Sequence, residues 1–204
     1  MPLTLQHNNT EFKLALWRIE EDVDFFSHKF HISPEIQNAS SRLQWYATRN
    51  LVNEMMGEYT EVLKDEFNKP YLQPGKPNVS LTHTALYAGA MLSSKHIVGM
   101  DIEMIRPKIE RIAHKFLRQD EIDAINPEER LEKLILYWSA KEALYKLHGR
   151  KQLEFMTQLL IDPFDLQQKG TATARIIADD IAPDNLTLHY EFFDDHVLTY
   201  VLGR

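Results

Sequence analysis

No cysteine occurs among the 204 residues. Disulfides, thiolate catalysis and cysteine-held zinc or iron–sulfur sites are therefore excluded. Long apolar runs are also absent. The longest, Ala85 to Leu92, falls far short of the ~20 residues that a membrane-spanning helix requires. The opening MPLTLQHNNTEFK has no basic stretch and no apolar stretch, so a signal peptide is not expected and the reading is cytoplasmic. The chain has no G-x-x-x-x-G-K-[ST] loop, no G-x-G-x-x-G, no G-x-S-x-G and no H-E-x-x-H. Nucleotide enzymes of the P-loop and dinucleotide types, and hydrolases of the elbow-serine and zincin types, lose their usual support. Positive charge is in deficit too. A net charge of −7 makes nonspecific binding to nucleic acid or anionic membrane unfavourable, so an anionic ligand needs a local cluster of cations.

What is present is ordinary globular composition, 44% hydrophobic and 26% charged, enough for one large domain or two small ones. Residues 12–19 alternate as a strand, and Ser33-Pro34 reads as a helix start. Leu43, Ala47, Leu51 and Met55 recur at steps of four, predicting a helix over 40–56 that ends at Gly57. Three prolines and a glycine make 68–77 a loop. Strands follow at 78–82, 86–92 and 97–103, with a turn at Ser93–His96. Helices follow at 108–117, 119–125 and 128–147, the last closed by Gly149. Strands return at 171–178, 186–193 and 196–202, the last two joined at Asp194-Asp195. The order β, α, β followed by β, α, β predicts an α+β protein of two similar α/β-type halves. Each would be a small sheet packed with a long helix, in residues 1–100 and 101–204.

Two segments carry chemistry. In Gly99-Met100-Asp101-Ile102-Glu103, a strand would point Asp101 and Glu103 to one face. Paired carboxylates repel unless a cation lies between them, and hard oxygen donors suit magnesium or calcium, magnesium being the usual partner of substrate phosphates. In isolation such a D-x-E is more often a solvated edge strand. In Trp138-Ser139-Ala140-Lys141-Glu142-Ala143-Leu144-Tyr145-Lys146, Trp138, Glu142 and Lys146 fall on one helical stripe. Glu142 can lean toward a metal, Lys146 can reach an anion, and Lys141 beside the stripe can reach another phosphate oxygen. In isolation this is more often a Glu–Lys pair on an amphipathic helix. A third feature is the run 106–118, where Arg106, Lys108, Arg111, Lys115 and Arg118 face Glu110 alone, a local +4. As a helix, it would place Arg111, Lys115 and Arg118 on one face.

Taken together, G-x-D-x-E followed by W-S-x-K-E-x-x-x-K resembles the signature of the 4′-phosphopantetheinyl transferase superfamily, in particular its larger single-chain pseudodimeric branch. Ser80-Leu81-Thr82-His83-Thr84 resembles the family's (S/T)-H-(S/T) element. Asn68-Lys69-Pro70-Tyr71 resembles its G-K-P segment with asparagine for glycine, and Ala47 to Val52 its R-x-L-L helix. The resemblance spans roughly residues 32–150. It implies transfer of 4′-phosphopantetheine from coenzyme A to a serine of an apo acyl or peptidyl carrier protein, releasing adenosine 3′,5′-bisphosphate. It implies a magnesium ion, with manganese as the alternative, held by Asp101, Glu103 and Glu142. Glu142 or a metal-held water would be the base, with Lys146 also in the catalytic set. It assigns Arg49, Lys69, Thr82, His83, Lys141 and Lys146 to coenzyme A. The N-terminal half would bind coenzyme A, and the C-terminal half would hold the metal and dock the carrier through Arg111, Lys115 and Arg118. The protein would act as a monomer with no nucleic-acid or membrane partner. The rival of another class is an inactive homologue that binds coenzyme A or a carrier protein.

Overall fold

The structure is a computed structural model and describes residues 3–30, 33–150, 152–179 and 185–204. The chain divides into two compact units, Met1–Ile97 and Val98–Arg204. Sheets and helices mix in both, as the sequence predicts. Among the described residues no helix is long and apolar enough to cross a membrane.

The first unit opens with a hairpin of β1 (Leu3–Asn8) and β2 (Lys13–Arg18). Its turn is set by Asn9, whose Oδ1 accepts from the amides of Glu11 and Phe12 at 2.8 and 2.9 Å, a local bond that asparagine makes readily. A short helix, α1 (Val23–Ser27), is capped by Asp22. The helix expected at Ser33-Pro34 is absent: residues 33–37 are irregular. The long helix α2 (Ala39–Met56) starts instead at Asn38, whose side chain accepts from the Ser41 amide, and it stops at Gly57 with φ 73°. Asparagine satisfies an orphan amide there. The 68–77 loop holds β4 (Pro70–Tyr71), paired with β3 (Leu63–Lys64). With β5 (Asn78–His83) and β6 (Tyr87–Ser93), the main sheet has the order β1-β2-β6-β5. Its core joins Ala47, Leu51 and Val52 of α2 to Ala15, Trp17, Val79, Ala88 and Ala90 of the strands.

The second unit begins on β7 (Ile97–Met104). The helix expected at 108–117 is instead two 3-10 turns, Pro107–Arg111 and Ala113–Lys115, split at Ile112 with φ −114° and ψ 0°. Burial of Ile109, Ala113, Phe116 and Leu117 in the core fixes this broken path. Next come α3 (Gln119–Asp123) and α4 (Arg130–His148), which ends at Gly149 with φ 75°. Then follow β8 (Leu159–Ile161), β9 (Lys169–Ile176), β10 (Leu186–Phe193) and β11 (His196–Gly203), in the sheet order β7-β11-β10-β9-β8. The core runs from Leu134, Leu136, Ala140 and Leu144 of α4 to Ala174, Leu188 and Val201 of the sheet. The sequence reading missed β1 and β8; β1 carries an alternating half-buried pattern over Leu3–Asn8 that fits LTLQH.

Candidate active site

Gly99 decides how closely α4 lies on β7. A Cβ there would stand 2.1 Å from the Ala143 carbonyl oxygen and 2.8 Å from the Leu147 amide. With hydrogen in its place, the helix settles on the strand, and the residues two and four further along β7 face the same helix. Asp101 and Glu103 are those residues, and α4 answers each of them. The Lys146 ammonium donates to Asp101 Oδ1 at 2.7 Å, and the Trp138 indole N–H donates to Glu103 Oε1 at 2.8 Å. The stripe Trp138–Glu142–Lys146 thus runs along the carboxylate face of the strand, with Glu142 in the middle.

The carboxylates feel one another. Burial first, then repulsion from Asp101, lifts Glu103 to about 7, with Glu142 adding to the repulsion and the Trp138 bond opposing it. Glu142 is also raised, by burial and then by Asp101, against the attraction of Lys146. This is the signature of acids crowded without enough positive charge. Among the described residues, no three histidine, aspartate or glutamate side chains are gathered closely enough to hold a metal ion. The donor chemistry nevertheless fits a hard divalent cation: carboxylate oxygens, partly desolvated and mutually repelling.

Lys141 is placed elsewhere than the sequence predicts. Its side chain is 0% exposed. Its ammonium donates to the Phe116 carbonyl at 2.8 Å, Glu121 Oε2 at 2.8 Å and the Phe155 carbonyl at 3.0 Å. All three donors of the amine are used, so the assignment of Lys141 to a phosphate is corrected: it is an internal strut. Glu121 Oε2 also accepts from the Arg118 amide at 2.9 Å. Arg118 is no partner of Arg111 and Lys115 on a helix face, because its backbone is extended and its guanidinium pairs with Asp120 at 2.9 Å. Arg106, Lys108, Arg111 and Lys115 are exposed.

In the first unit, Arg49 is only 8% exposed. Its guanidinium lies 4.2 Å from the centre of the Trp45 ring and donates to the Trp45 carbonyl and Thr48 Oγ1, each at 3.3 Å. Burial alone pulls it down to about 10, and its buried Nε has no hydrogen-bond partner among the described residues. Lys69 is partly buried, and burial lowers it against the opposing pull of Asp65. Asn68 before it has φ 67°. It occupies the left-handed region that glycine favours and asparagine tolerates, so the exchange costs the loop little. Thr82 is buried on β5 and His83 exposed at its end.

Gly99 stands in the G-x-D-x-E motif, and its role was legible from its parity with Asp101 and Glu103, a same-face position with no side chain. Glu121 and Phe155 had no sequence signal, because their role depends on where Lys141 is buried.

A profile of the 4′-phosphopantetheinyl transferase superfamily matches residues 97–201. The chain is 31% identical over 114 residues to the 4′-phosphopantetheinyl transferase AcpT of Escherichia coli K12, covering 53% of this chain and 58% of that protein. It is 30% identical to AcpT of Salmonella typhimurium, over 53% of this chain and 59% of that protein. The matched stretch spans less than two thirds of the length of these relatives. With the profile covering more than half of the chain, including β7 and α4, this protein belongs to the 4′-phosphopantetheinyl transferase superfamily.

Proposed function

We propose that this protein transfers 4′-phosphopantetheine from coenzyme A to a serine of an apo acyl or peptidyl carrier protein, releasing adenosine 3′,5′-bisphosphate. The observation that carries the reading is the alignment of α4 on β7. One helical stripe brings Glu142 and Lys146 to Asp101 and Glu103, and the three acids repel one another. Asp101, Glu103 and Glu142 would hold magnesium or manganese. When bound, the ion supplies charge neutralisation at the diphosphate.

The chain's own groups do the rest. Glu142 or a metal-held water would take the proton from the carrier serine hydroxyl; burial and then Asp101 raise the proton affinity of Glu142, in the direction a base needs. The serine oxygen forms a bond to the phosphorus on the pantetheine side, and the bridging oxygen leaves with the adenosine bisphosphate. Lys146, already drawn to the carboxylates, offers a donor to a phosphate oxygen. Arg49, buried without a counter-charge among the described residues, with Lys69, Thr82 and His83, is assigned to the phosphates and nucleotide of coenzyme A. Exposed Arg111 and Lys115 would steer an acidic carrier. The protein would work in the cytoplasm as a monomer of two similar halves.

The test mixes the protein with apo carrier protein, coenzyme A and magnesium and weighs the carrier by mass spectrometry. A phosphopantetheine adduct that disappears with EDTA is expected. Binding of coenzyme A or carrier without an adduct would leave only a binding module.

A further inference from the structure

Trp138 has the position of a residue that aims another. Its indole N–H donates to Glu103 Oε1 at 2.8 Å, and its ring is gripped by two others. Phe116 meets it at 5.2 Å and 67°, and Phe155 at 5.5 Å and 31°. These phenylalanines come from different segments: Phe116 closes the second 3-10 turn before α3, and Phe155 lies in the turn after α4. One group joins them. The buried Lys141 ammonium binds both their carbonyls and is itself paired with Glu121. The signature lysine therefore fixes two backbone positions, their rings fix the indole, and the indole fixes one oxygen of Glu103.

We propose that Trp138 is a positioning residue for Glu103, locked in place by Phe116 and Phe155, and that it prepares this carboxylate to receive a divalent cation. The proposal rests on the reading of Glu103 as a metal-holding acid. A carboxylate with one oxygen pinned loses less rotational freedom when an ion arrives and presents its remaining lone pairs in one direction. Partners of this outer kind are worth about 10–100-fold in metal affinity elsewhere. The competing account is that Trp138 only fills space between two rings. Phenylalanine would then replace it with a loss of stability and no change in ion binding.

The test titrates Mn²⁺ into the full chain by calorimetry, with folding checked by circular dichroism. Trp138→Phe keeps an aromatic ring and removes the donor. It is expected to weaken Mn²⁺ binding by about 10–100-fold. Glu103→Gln should weaken binding as well, and the double variant should lose little beyond Glu103→Gln alone, because both changes act through one carboxylate. Equal Mn²⁺ affinity in wild type and Trp138→Phe overturns the proposal, as do fully additive losses. Absence of Mn²⁺ binding by the wild type overturns the metal reading itself, a result distinct from either. Should Trp138→Phe not fold, Phe155→Leu keeps the indole donor and loosens its grip. It is expected to weaken Mn²⁺ binding, and unchanged binding overturns the proposal.

Discussion

Helix α2 of the first unit runs for 18 residues and α4 of the second for 19, and each stops at a left-handed glycine, Gly57 at φ 73° and Gly149 at φ 75°. Each packs an apolar side against its own antiparallel strands. Their buried charges differ. On α4, buried Lys141 meets Glu121 and half-buried Lys146 meets Asp101, while buried Lys133 lies over the Phe164 ring and donates to the Phe164 carbonyl. On α2, Arg49 is buried against an indole ring and a carbonyl, and among the described residues no carboxylate opposes the effect of burial on it. A buried cation with a partner acid is a structural element or part of a site that handles protons. Under the proposed function, the acids of the second unit would handle a proton and a cation, and Arg49 of the first unit would meet an anion.

The largest expected effect breaks this division if it is wrong. Glu142→Gln should reduce the rate of carrier modification by about 10²–10⁴-fold, the worth of a lost general base, with coenzyme A affinity retained. Arg49→Met should do the reverse, raising the KM for coenzyme A by the ~1.5–3 kcal/mol of a charge-assisted contact while kcat holds. Steady-state kinetics with both substrates varied separates them, and the same kcat–KM pattern in both variants would end the comparison. The same arginine sharpens it in stability. Lys141→Met strands Glu121 in the interior and should cost about 3–5 kcal/mol in denaturant unfolding, whereas Arg49→Met strands no acid and should be near neutral. Adding Glu121→Leu to Lys141→Met should recover most of the loss.

Much of this was legible before the fold. Helix α2 followed from apolar steps of four, both long helices had their ends marked by closing glycines, and the β7 face followed from the two-residue period that joins Asp101 to Glu103. The 106–118 segment was not. Its charges and apolar residues fit a helix period, but burial of Ile109, Ala113, Phe116 and Leu117 outweighs that pattern and bends the chain into 3-10 turns. Lys141 misled for a related reason. Sequence gives its place beside the active stripe but not the depth of the cavity that Phe116, Glu121 and Phe155 close around it. The cost of burying an amine is met only when all three of its donors are bound, and those partners come from segments up to 25 residues away.

The glycines offer a smaller contrast. Gly57→Ala places a side chain in open space at a left-handed φ, and only backbone strain of about 1–2 kcal/mol should result. Gly99→Ala meets the α4 backbone, which cannot rotate away. Its cost should reach or exceed the ~1–3 kcal/mol usual for overpacking. It should also separate β7 from α4 and so reduce divalent-cation binding. Chemical denaturation of both variants with Mn²⁺ titration checks the pair. Equal stability losses with ion binding intact would mean that Gly99 does not set the approach of helix to strand.

The finest comparison sets one carboxylate of each unit against the other. Glu11 of the first unit is held down to about 2, by Lys95 first and then His96. Glu103 of the second is lifted to about 7 by burial and then by Asp101. Both start from an ordinary value of 4.5, so their contributions to stability have opposite slopes. For Glu11 the unfolded chain binds the proton more readily. Its contribution is full above 4.5 and disappears as pH falls through about 2. For Glu103 the folded chain binds the proton more readily, so in EDTA stability drops as pH rises from 4.5 through about 7. Urea midpoints across pH for wild type, Glu11→Gln and Glu103→Gln separate the two. Glu103→Gln should flatten the loss toward neutral pH, and Glu11→Gln the loss in acid. A divalent cation should selectively cancel the Glu103 slope, since an ion favours the charged acid and the ammonium of Lys95 already does so for Glu11. If the cation leaves that slope unchanged, Glu103 is a buried acid with no part in ion binding.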